Sequence, residues 1–105
     1  MENNYTVKMT PKAADDLENI YRYISEELFA TSAATNILER IEKEIMRLKE
    51  FPFSCNYLAD EYLRNKGYRK LIVDNYIVFY LIEKEVEQVI IMRVLYGKQK
   101  YENLL

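Results

Sequence analysis

The sequence predicts an α+β fold: an N-terminal strand, an antiparallel helical hairpin, then a three-stranded antiparallel meander, with the helices on one sheet face. Two observations predict it. Apolar residues recur at helical spacing between 13 and 48, whereas from 68 onward the pattern is that of strands separated by short turns. Helical and strand segments are thus grouped rather than alternating, which argues against a parallel α/β sheet. The 105 residues suit one domain, 1–105, with enough apolar residues for a real core at 50% hydrophobic.

Each element has a local reason. YTVKM (5–9) alternates apolar and polar residues, as a half-buried strand does. Thr10 then offers a side-chain cap, and Pro11 suits the first helical position because its missing amide has no partner there anyway. Ala13, Leu17, Ile20, Ile24 and Leu28 form the first helical stripe. Asp15, Asp16 and Glu18 lie early in that helix, near the positive end of its dipole. A break at ATS (30–32) places a second cap at Thr31 or Ser32. Ala34, Ile37, Leu38, Ile41, Ile45 and Leu48 form the second stripe, which stops near Pro52. Residues 52–66 show no period and read as a loop. YRKLIV (68–73), YIVFYLI (76–82) and QVIIMRVLY (88–96) read as strands, with turns at Asp74–Asn75 and at EKEVE (83–87).

Composition narrows the function classes. The formal net charge is −2, unlike that of a generally basic nucleic-acid-coating protein. The charge is uneven, however. Segment 11–50 holds six basic and nine acidic residues, a balance of −3, while 93–101 holds Arg93, Lys98 and Lys100 without an acid, a balance of +3. Arg64, Lys66, Arg69 and Lys70 form a second basic segment. With no histidine in the chain, His-based triads, most catalytic zinc sites and the usual general base are excluded, and no cofactor or metal is expected. Cys55 is the sole cysteine, so no internal disulfide forms. No leader-like apolar core and no membrane-length apolar run are visible, so the expected location is the cytoplasm.

Candidate functional residues lie within the strands and just after the last one. In 88–96 the expected alternation puts Val89, Ile91, Arg93 and Leu95 on one face. An arginine in a strand apolar on both faces needs a partner or an open groove. Either Arg93 pairs with an acidic helix residue, or with water at the sheet face, or it anchors a phosphate or a partner's carboxylate. Arg69 and Lys70 point to opposite faces of their strand, and Lys98, Lys100 and Tyr101 follow the last one. Tyr76 and Tyr80 share a face and are expected to line a groove with Tyr96. Arginine, lysine and tyrosine together suit RNA, and suit an acidic amphipathic helix of a protein partner equally well.

The string YRKLIVDNYIVFYLIEKEVEQVIIMRVLYGKQKYENLL (68–105) resembles the C-terminal half of the RelE/ParE toxin superfamily, and MTPKAADDLENIYRYI (9–24) resembles its opening into the first helix. The resemblance covers nearly the whole chain. It implies the toxin of a type II toxin–antitoxin module, which blocks growth until a cognate antitoxin wraps it into a hetero-oligomer. RelE-like members cut mRNA on the ribosome without a metal, using basic residues and often a tyrosine; ParE-like members poison DNA gyrase and need no nuclease site.

Carried over by position, Arg69 and Lys70 fall where RelE has basic residues on the first meander strand. Where RelE has an arginine after the tyrosine of the next strand, this chain has Ile77, and where RelE has one beyond the glycine, it has Gln99. Tyr101 is a near match to the C-terminal tyrosine, and Arg93 in RVLYG resembles an arginine recurrent in ParE-like sequences. The departures at Ile77 and Gln99 favour a ParE-like gyrase poison. The alternatives are a ribosome-dependent endoribonuclease with a diverged site of Arg69, Lys70, Arg93, Lys98 and Tyr101, and a non-toxic interaction module. On any of these readings, Arg93, Tyr96, Lys98, Lys100 and Tyr101 are the expected partner-binding residues, and the antitoxin is expected to carry an acidic amphipathic segment.

Overall fold

The computed structural model describes residues 4–101 and 103–105. Residues 1–3, part of the N-terminus read for a leader, and Glu102 of the tail lie outside them. The order is β1 (Thr6–Met9), α1 (Pro11–Arg22), α2 (Thr31–Arg47), α3 (Glu61–Asn65), β2 (Arg69–Val73), β3 (Tyr76–Glu83) and β4 (Gln88–Tyr96). The four strands form one mixed sheet in the order β1-β4-β3-β2. β2, β3 and β4 are the expected antiparallel meander, and β1 joins parallel to β4 in the register Thr6↔Gln88 to Met9↔Ile91. Just past the end of β1, Thr10 ties the helix layer to the sheet. Its hydroxyl accepts from the Ala13 amide at 3.1 Å and donates to the Met92 carbonyl at 3.0 Å.

The helical hairpin packs on one face of this sheet. Ala13 and Ile20 of α1, Ala34, Ile41 and Ile45 of α2, and Val78, Tyr80, Val89, Ile91 and Val94 of the sheet form the main core. The first stripe ends at Ile24 rather than Leu28. Residues Tyr23–Glu27 form a π-helical turn, in which the Leu28 amide reaches back five residues to the Tyr23 carbonyl. The extra residue rotates Leu28 off the stripe, and it is exposed. Phe29 follows in the left-handed region, and Ala30, not Thr31 or Ser32, precedes the first turn of α2. No side chain caps that helix; the Ala34 amide bonds the Ala30 carbonyl directly.

The other face is not bare. Ile77, Phe79 and Leu81 alternate with the core residues of β3 and so point away from the hairpin. They meet Leu58, Leu63 and Tyr68, together with Leu95 and the tail residues Tyr101 and Leu105. The segment 52–66, expected to be a loop throughout, therefore contains α3. Asp60 caps it by accepting from the Leu63 amide at 3.0 Å, and Gly67 ends it at φ 94°, where a side chain would be strained. Five residues with one buried side chain are too short to show a helical period.

Candidate functional site

Arg93 sits at a break in the strand pattern. Phe79 pairs with Arg93, but Tyr80 pairs with Ile91, so Met92 is an extra residue on β4. The bulge shifts the alternation: Val89, Ile91 and Val94 belong to the helix-side core, whereas Met92 and Leu95 belong to the opposite cluster. Leu95 thus does not share a face with Val89 and Ile91, as uninterrupted alternation predicts. The same bulge lies just past the end of β1, where the outer edge of β4 has lost its strand partner.

Asp16 of α1 fills that edge. Its carboxylate accepts from Arg93 Nε at 2.7 Å, from Arg93 Nη2 at 2.9 Å and from the Val94 amide at 2.9 Å. The bidentate pair is a fork-to-carboxylate contact, and the third bond replaces the missing ladder partner. Asp16 is buried, and the Arg93 side chain is only 16% exposed. The hydrogen bond to Asp16 is the main cause that raises the Arg93 pKa above its ordinary value, against the effect of burial. The remaining nitrogen, Nη1, donates to the Leu104 carbonyl at 3.1 Å, so one guanidinium joins helix, strand and C-terminal tail. Of the readings open for Arg93, the pairing with a helix carboxylate is what the fold contains.

Arg69 lies on the edge strand β2, paired across from Tyr80. It donates to the Cys55 carbonyl at 2.7 Å, and its guanidinium lies 4.0 Å from the Tyr57 ring centroid and 5.3 Å from that of Phe53. Lys70 stands across from Phe79, which stands across from Arg93, so these three form one row over the sheet. Tyr101 joins that row through its ring, 4.8 Å from the ring of Phe79. Lys98 and Lys100 are exposed in the turn after β4. Hence Tyr101 packs on Phe79 in the row that Lys70 begins, whereas the Arg93 side chain turns to Asp16 and the groove lined by Tyr76 and Tyr96. Arg69 alternates to the face opposite Lys70, and the two tail lysines lie in the turn beyond β4. Ile77 packs into the apolar cluster of that face, and Gln99 is exposed.

The tyrosines divide likewise. Tyr76 and Tyr96 meet edge-on at 5.9 Å and line a groove of about 790 Å³ between the hairpin and the ends of β3 and β4. Burial is the first cause that raises the Tyr76 pKa, ahead of the neighbouring Tyr96 and Tyr23 hydroxyls. Tyr80 does not reach the groove. It is fully buried, donates to the Pro52 carbonyl at 2.9 Å, and burial raises its pKa strongly. Sequence reasoning also missed Asp16 as a specific partner. The signal was there: Asp16 falls three residues after Ala13 and four before Ile20, on the buried stripe.

Among the described residues, no cluster of His, Cys, Asp and Glu could hold a metal ion, and no helix is long and apolar enough to cross a membrane.

This fold, a four-stranded mixed sheet under a helical hairpin, is shared with chains from solved toxin–antitoxin systems. The chromosomal ParDE toxin–antitoxin system of P. aeruginosa includes a chain that superposes with a TM-score of 0.75 at 19% identity, covering 91% of this chain and 99% of that one. A chain of the RelBE2 toxin–antitoxin complex from Mycobacterium tuberculosis matches with a TM-score of 0.66 at 23% identity, over 89% and 98%. The E. coli toxin RelE, as a double arginine-to-alanine mutant in the free state, matches with a TM-score of 0.64 at 15% identity, over 93% and 86%. No curated protein sequence matches the chain. The sequence family described as the ParE toxin of the type II toxin–antitoxin system parDE matches residues 7–101, and the chain belongs to that family.

Proposed function

We propose that this domain, residues 1–105, is a growth-inhibiting toxin of the cytoplasm that acts by binding DNA gyrase and is neutralised by a cognate antitoxin. The observation that carries the choice of target is the state of the candidate nuclease residues. Of the five candidates, the two arginines are occupied, Arg93 by Asp16 and the Leu104 carbonyl and Arg69 by the Cys55 carbonyl and two aromatic rings, while Tyr101 packs its ring on Phe79. A ribonuclease must stabilise charge that develops on a phosphate, which takes donors aimed at open space. Here Ile77 presents an apolar side chain at the position where RelE carries an arginine. A toxin that acts by docking needs no such donors.

Among the described residues of this end, Lys98 and Lys100 are exposed charges, and they suit an antitoxin with an acidic amphipathic segment that folds on binding. Induction of the toxin followed by recovery of gyrase–DNA complexes and primer extension on a translated message tests the reading. Trapped gyrase with an uncut message is expected. New cuts in ribosomal A-site codons would instead establish the endoribonuclease.

A further inference from the structure

The tip of the helical hairpin combines features that folding alone does not favour. Phe29 is 91% exposed and has φ 51°, a conformation strained for a bulky side chain. Neither the exposure nor the strain stabilises the monomer. Beside it, Tyr23 and Leu28 are 56% and 55% exposed, and the neighbouring π-helical turn is itself an irregularity. Tyr23, Leu28, Ile37, Tyr76 and Tyr96 line the 790 Å³ groove described above. A protruding aromatic ring therefore lies beside a groove whose wall is mostly apolar, with the paired Asp16 and Arg93 also lining it.

Charge is arranged around this patch in two flanks. Glu26 and Glu27 are exposed in the π-helical turn, between the groove residues Ile24 and Leu28. On the sheet side, Lys98 is exposed between Gly97 and the groove residue Gln99, with Lys100 following. A surface with a knob, a hole, an acidic flank and a basic flank has the elements that an isologous contact between two copies uses. In such an isologous contact, residue i meets j and j meets i.

We infer that the free toxin forms a two-fold homodimer through this patch, with Phe29 of each copy seated in the groove of the other and Glu26 and Glu27 facing Lys98. Because Lys98 and Lys100 also serve the proposed antitoxin contact, antitoxin and second copy compete for the same end. The homodimer itself does not depend on which cellular target is correct.

Sedimentation equilibrium of the purified chain alone, from sub-micromolar to hundred-micromolar concentration, tests the inference. The mass should rise toward twice the monomer value with concentration. Phe29→Gly accepts the left-handed backbone without strain, so it should melt no lower than the parent. It should nonetheless weaken the dimer by roughly thirtyfold or more, as loss of a central aromatic anchor does. Lys98→Glu should also weaken it, and Lys98→Glu combined with Glu27→Lys should recover part of the loss. A parent that stays monomeric throughout overturns the inference. So does a dimer that Phe29→Gly leaves intact, or a variant whose only defect is lost antitoxin affinity, which would assign the groove to the antitoxin.

Discussion

On one face of the sheet, Val78, Tyr80, Val89, Ile91 and Val94 meet Ala13, Ile20, Ala34 and Ile41 from two helices. On the other, Phe79 and Leu95 meet Leu58, Leu63 and Tyr68 from an aperiodic segment, and Tyr101 and Leu105 from the tail. The first contact is built from two continuous amphipathic elements whose side chains repeat with a fixed period. The second is assembled from isolated residues, each placed by a cap, a glycine or a single hydrogen bond. Apolar burial drives both, but only the first is a property of whole elements. The second face should therefore be the weaker and more easily opened part of the molecule.

Substitutions that stress each face test this contrast. Asp16→Ala should have the largest effect, because it strands the Arg93 charge and the Val94 amide together. Loss of one partner from a buried pair costs about 3–5 kcal/mol. Chemical denaturation should show this as a lowered midpoint. Ile41→Ala empties a fully buried position under the hairpin and should cost about 2–5 kcal/mol. An unchanged melting temperature in Ile41→Ala would mean that the helix-side core is not the main support.

Tyr80→Phe should cost about 1–3 kcal/mol, because it leaves the buried Pro52 carbonyl without its donor. It also has a pH signature. Burial raises the Tyr80 pKa in the folded chain, so below about pH 10 both states hold the proton and this group adds no pH dependence. Above that, the unfolded chain ionises first and stability falls as pH rises. The parent should therefore lose stability faster than Tyr80→Phe between neutral and alkaline denaturation series. On the opposite face, Tyr101→Ala removes a half-buried ring and its contact with Phe79, for about 1–2 kcal/mol. Hydrogen exchange should then rise in α3 and around Phe79 before it rises in the hairpin. If the hairpin opens equally, the two faces are one cooperative unit. Lys98→Ala should change stability by no more than about 0.5 kcal/mol. Its effect should instead be slower, less salt-sensitive association with the antitoxin, measured by surface plasmon resonance.

The same contrast explains what was legible in the sequence. The hairpin and the meander were, because Ile20, Ile41 and Ile45 keep a helical period and the strands of the meander are set apart by short turns. The position of β1 was not, since four residues carry no mark of which strand they join or in which direction. The bulge at Met92 was invisible because both faces of β4 are apolar, so a slip of one residue leaves the pattern looking intact. The candidate site suffered from that slip. Arg93 was singled out correctly as needing a partner, but choosing Asp16 over the other acids of 11–50 required knowing where β1 stops. Arg69 and Tyr101 were visible as chemistry, whereas their packing on Tyr57 and Phe79 depends on the aperiodic segment and the tail.

The Thr10 hydroxyl reaches Met92 across 82 residues, and β1 has β4 as its only strand neighbour among the described residues. Of the four strands, the one that holds β1 to the rest of the sheet is thus the last to be synthesised. Until it leaves the ribosome, β1 has nothing to pair with, Asp16 has no guanidinium to hold, and the tail that Arg93 clamps does not yet exist. Chains grow at roughly 5–20 residues per second, so a nascent copy spends several seconds without a complete sheet. While β4 is still unmade the sheet and the tail contact are incomplete, an interval in which an inhibitor already present in the cell can be waiting.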